Sequence, residues 1–446
     1  MRGPARRLPL RAAASLAAAA MAAAVVLFAC SAGGTGGGGD AKTRATWPRF
    51  PADPSSRADR ALAVLYSTGN LGPRTTLAHL GYPGRYLFRL HEDHPRLRVV
   101  LMSTPASRYS GEGTVLDSND ASSTWRALAT DERFGWIELA SQGYTHSPPG
   151  DSDLDHHEFA VDQSGCNVAH AGLDDPAYVK ERFALIRGAY RSLGIPDERV
   201  TLIRFPGLTA GPRALEAAAE AGFLASLGTD FVAGAGGPGL LEIPDTRILR
   251  RFALSDPLEK GLANGRLTRE TLDASEEMRG AVALGISVVA EAARGTGILN
   301  LTDTWSETFA FIGGTYPRYG ILDAVLDATE RTYGDRLWFP GGRELALWMT
   351  LVRDARIDLS ADGDGHVVAI APTEGWIRAA GETGLAQASI LVELPASVEG
   401  VSGVRIRAAG DDAWRDVDPG HYWMQRAGLA VVFPIRGPLE LRIVPE

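Results

Sequence analysis

Cysteine is scarce in this chain of 446 residues: there are two, Cys30 and Cys166. A disulfide framework is therefore excluded as the basis of stability, and the fold must rest on a large apolar core. Charge of one sign is also lacking. The net charge is −9, with no basic stripe, so the chain carries no electrostatic footprint for nucleic acid. No internal repeat and no coiled-coil heptads occur. Long apolar runs are absent except at one place, residues 12–28, almost wholly Ala, Leu, Val and Met behind Arg2, Arg6, Arg7 and Arg11. A basic start and a short Ala-rich core make a secretory signal rather than a permanent membrane span.

That signal ends Leu27-Phe28-Ala29-Cys30, followed by a Gly/Ser-rich stretch. The tetrapeptide resembles the lipobox of bacterial lipoproteins. The resemblance implies cleavage before Cys30 and lipidation of its thiol, placing the protein outside the cytoplasm on a bacterial membrane. A flexible tether of this composition suits an anchored domain. The expected organisation is a signal over 1–29, a tether over 30–50, a barrel-like domain over 51–356 and a small β module over 357–446.

Seven short apolar runs follow the tether, at 61–66, 97–102, 136–140, 200–203, 223–227, 298–301 and 337–339. Helical patterns lie between several of them. The clearest is 175–193: Asp175 can cap it, Pro176 sits at its first position and Gly194 closes it. Val179, Phe183, Ile186, Tyr190 and Leu193 share one face. Further helices are expected at 212–221, 269–294 and 319–333. Strands alternating with helices imply parallel pairing, and seven such units favour a closed ring, an irregular (β/α)7 barrel in an α/β fold. After Asp358 come short strands at 366–370, 389–394, 404–408, 429–433 and 439–444 with Gly/Pro/Asp turns. These predict a small all-β sandwich.

The stretch 136–159, WIELASQGYTHSPPGDSDLDHHEF, concentrates candidate chemistry. A buried strand turns polar at Ser141, Gln142 and Gly143. Tyr144 and His146 follow, then Asp151, Asp153, Asp155, His156, His157 and Glu158. Imidazole and carboxylate are zinc ligands, so His146, His157 and Glu158 form the expected metal set, with Asp151 or Asp153 as further donors. Adjacent His156 and His157 are expected to face opposite ways. In a parallel barrel the other strand ends converge on the same mouth, adding Ser67, Thr68, Arg204, Asp303 and Trp305. Polar groups, one guanidinium and an aromatic suit a sugar, with Trp305, Gln142 and Tyr144 as contacts. Trp338 and Trp348 are read as core, His91 and His94 as surface, and Cys166 as a buried thiol.

WIELASQGYTH resembles the second motif of the polysaccharide deacetylase family, the NodB-homology proteins, and LIRFPGLTAGPRALEAAAEAGF resembles its third; GTGILNLTDTWSE stands where the last motif would be. The resemblance spans about 61–349. It implies a barrel that removes acetyl groups from N-acetylated sugars using a divalent ion, zinc above all, with an Asp base and a His acid. His146 and Arg204 match the motif residues. Gln142 stands where a metal-binding His is usual, Ser67 and Thr68 replace an Asp pair, and Thr304 replaces the acid His. With Asp303 and Arg204 as candidate catalytic residues, an active hydrolase of envelope or extracellular polysaccharide is one expectation. A catalytically silent glycan-binding or envelope-assembly protein is the other.

Overall fold

The computed structural model describes residues 44–72, 84–106, 119–149, 151, 156–161, 170–228, 240–246, 256–304, 317–363, 365–381, 385–394, 398, 400–425 and 428–446. Cys30, Asp153, Cys166 and Trp305 lie outside them, as do the expected signal and nearly all of the tether. The first described element, β1 (Arg44–Thr46), falls inside the expected tether; it is a strand, paired antiparallel with residues near the other end of the chain.

The α/β unit runs β2 (Leu62–Leu71), α1 (Gly84–Asp93), β3 (Val99–Ser103), α2 (Asn119–Thr130), β4 (Ile137–Ser141), α3 (Pro176–Ser192), β5 (Leu202–Ile203), α4 (Pro212–Glu220), β6 (Ala225–Leu227) and β7 (Leu241–Ile243). It continues with α5 (Asp256–Ala263), α6 (Arg269–Asp273), α7 (Glu276–Arg294), β8 (Ile298–Thr304), α8 (Pro317–Tyr333), β9 (Leu337–Trp338) and α9 (Gly342–Asp354). All seven expected runs are strands. An eighth, β7, joins them, giving a parallel sheet ordered β7-β6-β5-β4-β3-β2-β8, with β9 beside the start of β2. Among the described residues the ladder does not close into the expected ring: β7 and β8 are its two ends. They approach at one point, where the Thr246 N–H and hydroxyl both donate to the Asn300 carbonyl.

Alternation along the strands sorts their side chains into two sets. Ala63, Leu65, Val100, Met102, Ala140, Leu202, Ala225, Leu227 and Ile298 share one apolar cluster inside the curled sheet. Leu62, Val64, Tyr66, Leu299 and Leu301 face an outer helix layer holding Leu322, Val325 and Leu326 of α8. On the other flank α3 presents Val179, Phe183, Ile186 and Tyr190, all buried against Leu139, Ile203 and Phe205. Each such side chain contributes roughly 1.5–3 kcal/mol on full burial. Asp175 caps α3 by accepting from the Ala177 and Tyr178 N–H groups. The run expected as one helix over 269–294 breaks at Ser275, whose hydroxyl caps α7 through the Met278 N–H.

The remaining chain builds β10 (Arg356–Asp362), β11 (Gly365–Ala371), α10 (Glu374–Ala380), β12 (Leu385–Glu393), β13 (Val401–Ala408), β14 (Arg415–Asp416), β15 (Tyr422–Gln425), β16 (Gly428–Ile435) and β17 (Leu439–Pro445). They form two antiparallel sheets, β1-β12-β16-β15 and β10-β11-β17-β13-β14. Ile390, Val392, Val431 and Phe433 of the first and Val368, Leu441 and Ile443 of the second share one core. Trp348 of α9 and Trp338 belong to the same cluster as the sheet interior, so this module continues the core of the α/β unit. At that end Glu138 of β4 caps α9: the Arg343 N–H donates to its two oxygens at 2.9 and 3.1 Å. Burial pushes the Glu138 carboxyl above the ordinary carboxylate range.

His94, expected on the surface, is 1 % exposed. Its Nδ1 and Nε2 meet Glu330 at 2.9 Å and Asp323 at 3.1 Å, both on α8. Two carboxylates make burial of the ring affordable in a way that the local sequence does not reveal.

Candidate functional site at the C-terminal ends of the parallel strands

The turn after β4 and the turn after β5 pack on each other. The Arg204 N–H donates to the Ser141 carbonyl at 2.7 Å, placing the two turns side by side. Gly143, at φ 82°, could carry no side chain: a Cβ would lie 2.3 Å from Glu158 Oε2 and 3.1 Å from Pro206. Gly207, at φ 65°, touches the next loop, where a Cβ would fall 1.9 Å from His157 Cδ2. The imidazoles of His146 and His157 stand edge to face with centroids 5.5 Å apart. Among the described residues, three non-glycine residues have positive φ, and two of them are here, His146 at 70° and Leu208 at 63°. Left-handed backbone on side-chain-bearing residues is strained and concentrates at functional sites.

Glu158 holds the first turn in shape. Its Oε2 accepts the N–H groups of Tyr144 at 2.8 Å and Thr145 at 3.3 Å, while Oε1 accepts from Arg182 Nε at 2.5 Å. Arg182 Nη2 donates to Thr145 Oγ1 at 2.6 Å, and the guanidinium lies over the Tyr144 ring. The Tyr178 hydroxyl donates to the Glu158 carbonyl at 2.9 Å, and the Glu158 N–H to the His146 carbonyl at 3.1 Å. The carboxylate expected as a metal ligand is thus bound to a guanidinium and two amides. Sequence reading missed Arg182, though an arginine beside Val179, Phe183 and Ile186 was a signal of a buried partner.

The other expected residues separate in the same way. His156 pairs with Asp151, its Nδ1 2.8 Å from Oδ2. Tyr144, expected to touch substrate, is 5 % exposed and packed among Phe159, Phe205 and neighbouring core residues. Arg204 is buried, and its Nη1 donates to Met102 Sδ at 3.3 Å. Asp303 is paired in register with Thr68 on β2; its side chain lies outside the described residues.

Zinc at a catalytic centre takes three protein ligands. Glu158 is spent on Arg182, and among the described residues no group of three or more His, Cys, Asp or Glu could hold a metal ion. The set His146, His157 and Glu158 does not fit one.

Below the two turns lies a neutral layer. Ser67, Asn300, Thr302 and Gln142 share the strand alternation of the inner apolar residues, and all four are buried. Ser67 Oγ donates to Asn300 Oδ1 at 2.6 Å. Gln142 reaches over Met102 toward β2, its Oε1 2.9 Å from where a Cβ on Gly69 would stand. Among the described residues, Gln142 Oε1, Asn300 Nδ2 and Thr302 Oγ1 have no hydrogen-bond partner. A cleft of about 300 Å³ exists at the opposite, N-terminal ends of the strands, between Arg98, Trp136, Glu138 and Arg343. Glu198, Arg199 and Glu344 line it too, and the Glu138 carboxylate there is already committed to α9.

No family model and no curated protein matches the chain. Among solved structures it is similar to a Mycobacterium smegmatis protein provisionally named a polysaccharide deacetylase. The TM-score is 0.39 and the identity 17 %, over 65 % of this chain and 90 % of that one. A 4-alpha-glucanotransferase from Thermococcus litoralis is similar at TM-score 0.32 and 12 % identity, over 63 % of this chain and 39 % of that one. A de-N-acetylase from Aggregatibacter actinomycetemcomitans is similar at TM-score 0.23 and 11 % identity, over 41 % of this chain and 93 % of that one.

Proposed function

We propose that the chain is an envelope protein that recognises an N-acetylated polysaccharide across the C-terminal mouth of its parallel sheet. One observation carries the reading: the His146 turn and the Arg204–Leu208 turn, the two segments that resemble deacetylase motifs, meet at one mouth, with His157 seated on Gly207. The mouth is rich in hydroxyls and amides, with Arg204 as its buried cation, which suits a neutral, hydroxyl-rich ligand. Lipidation at Cys30 would hold the protein to a bacterial membrane; among the described residues no helix is long and apolar enough to cross one.

A second reading, hydrolysis of the acetyl group, is favoured by the closeness of the two imidazoles beside strained backbone. Asp303 and Trp305 remain its candidate acid–base and stacking residues. Calorimetry with N-acetylglucosamine oligomers and their de-N-acetylated counterparts tests the first reading. Binding of the acetylated set, weakened about tenfold in His157→Ala, supports it. Absence of binding by either set, with no acetate released, overturns it. Acetate release that is lost in His157→Ala would make hydrolysis the function.

A further inference from the structure

We infer that the floor of this mouth, formed by Ser67, Gln142, Asn300 and Thr302, meets its ligand directly, with no divalent ion between protein and sugar. The ligand half of this statement rests on the glycan reading above; the ion half stands on the floor residues alone. Ser67, Asn300 and Thr302 are buried on inward-facing strand positions, and Gln142 is buried one residue past the end of β4. Ser67 occupies the acceptor of Asn300, so the Asn300 amide nitrogen is left as a donor. Were the amide turned over, one of its two polar atoms would still lack a partner. Gln142 supplies an acceptor and Thr302 a hydroxyl, each likewise without a hydrogen-bond partner among the described residues.

Buried polar groups are nearly always paired, so three such atoms in one layer mark a place for something that brings its own donor and acceptor. A group carrying both side by side, such as an amide or neighbouring hydroxyls, matches that pattern. A divalent transition ion does not. It prefers imidazole, thiolate or carboxylate, and neutral amides and hydroxyls are poor substitutes. The imidazoles of His146 and His157 sit on the turns, and the Glu158 carboxylate is held by Arg182. The positions where the resemblance calls for Asp, Asp and His carry Ser67, Thr68 and Gln142. Of these three, Ser67 and Gln142 lie on the floor, and both are neutral hydrogen-bonding groups.

The test uses the full chain purified from zinc-supplemented medium. Elemental analysis is expected to find far less than one equivalent of zinc, manganese, iron, cobalt or nickel. Affinity for an N-acetylglucosamine oligomer is expected to change less than about twofold between EDTA and added zinc. Gln142→Met and Thr302→Val keep side-chain volume while removing polar atoms; each is expected to weaken binding about tenfold with the thermal midpoint unchanged. About one equivalent of ion that Gln142→Met releases, or binding that EDTA abolishes, overturns the inference. Since ion content is read without sugar, failure of every oligomer to bind would count against the glycan reading and not against the ion-free floor.

Discussion

Glu158→Gln removes one charge and almost no volume from the buried cluster behind His146. Its side chain is 0 % exposed and that of Arg182 is 5 % exposed, so the substitution strands a cation away from water. Thr145 Oγ1 and the faces of Tyr144 and Tyr178 are what Arg182 retains among its described contacts. Removing one partner of a buried ion pair costs about 3–5 kcal/mol. Glutamine can still accept one backbone N–H, which places the expected loss toward the lower end. With a urea slope of about 1–3 kcal/mol per molar, the midpoint should fall by on the order of 1–3 M. Hydrogen exchange at the Tyr144 and Thr145 amides should accelerate, because both donate to this carboxylate. The double variant Glu158→Gln/Arg182→Met should recover much of the loss by deleting the stranded charge. A change below about 0.5 kcal/mol, typical of a surface site, would refute the reasoning. So would loss of a bound ion with stability intact, which would return Glu158 to a ligand set.

Gly207→Ala should cost about 1–2 kcal/mol for its left-handed backbone and, in addition, displace His157, lowering glycan affinity. Gly194→Ala, at φ 73° with nothing within 4 Å, is the control that should carry the backbone cost and leave binding alone; equal binding loss in both would refute the contact. Burial opposes charge on His94, but Asp323 and Glu330 outweigh it and hold the ring's pKa above 6.5. Its stabilisation is therefore complete below pH 6.5 and lost as pH rises through the raised value. The difference in urea midpoint between wild type and His94→Gln should shrink toward alkaline pH, and a difference that grows would refute the pairing. Asp175→Ala should cost about 1 kcal/mol through loss of the α3 cap, seen as a lower thermal midpoint.

Local pattern was enough for elements whose information lies within the element. Asp175, Pro176 and Gly194 mark the ends of α3, and the Val179–Tyr190 stripe marks its buried face, as found. The strand β7 escaped notice because Leu241-Glu242-Ile243 is three residues long and half-buried at its first two. The break between α6 and α7 was hidden because Ser275 interrupts an otherwise helical composition. At the site, the sequence displays neighbours along the chain and conceals those across it. His146, His157 and Glu158 look like one ligand set until His157 settles on Gly207 and Arg182 takes Glu158. The Ser67–Asn300 bond joins residues 233 apart, a relation that no local pattern carries.

The strand β1 has β12 as its ladder partner, through Arg44↔Glu393, Ala45↔Val392 and Thr46↔Leu391. The intervening sheet leaves the ribosome after β1 and before β12, so β1 must wait, unlatched, while that sheet forms. Once latched, any pull arriving from the amino-terminal side is borne by the β-module, and the strands that shape the mouth are spared the load. A chain stopped before β12 would have no seam in which to clasp β1.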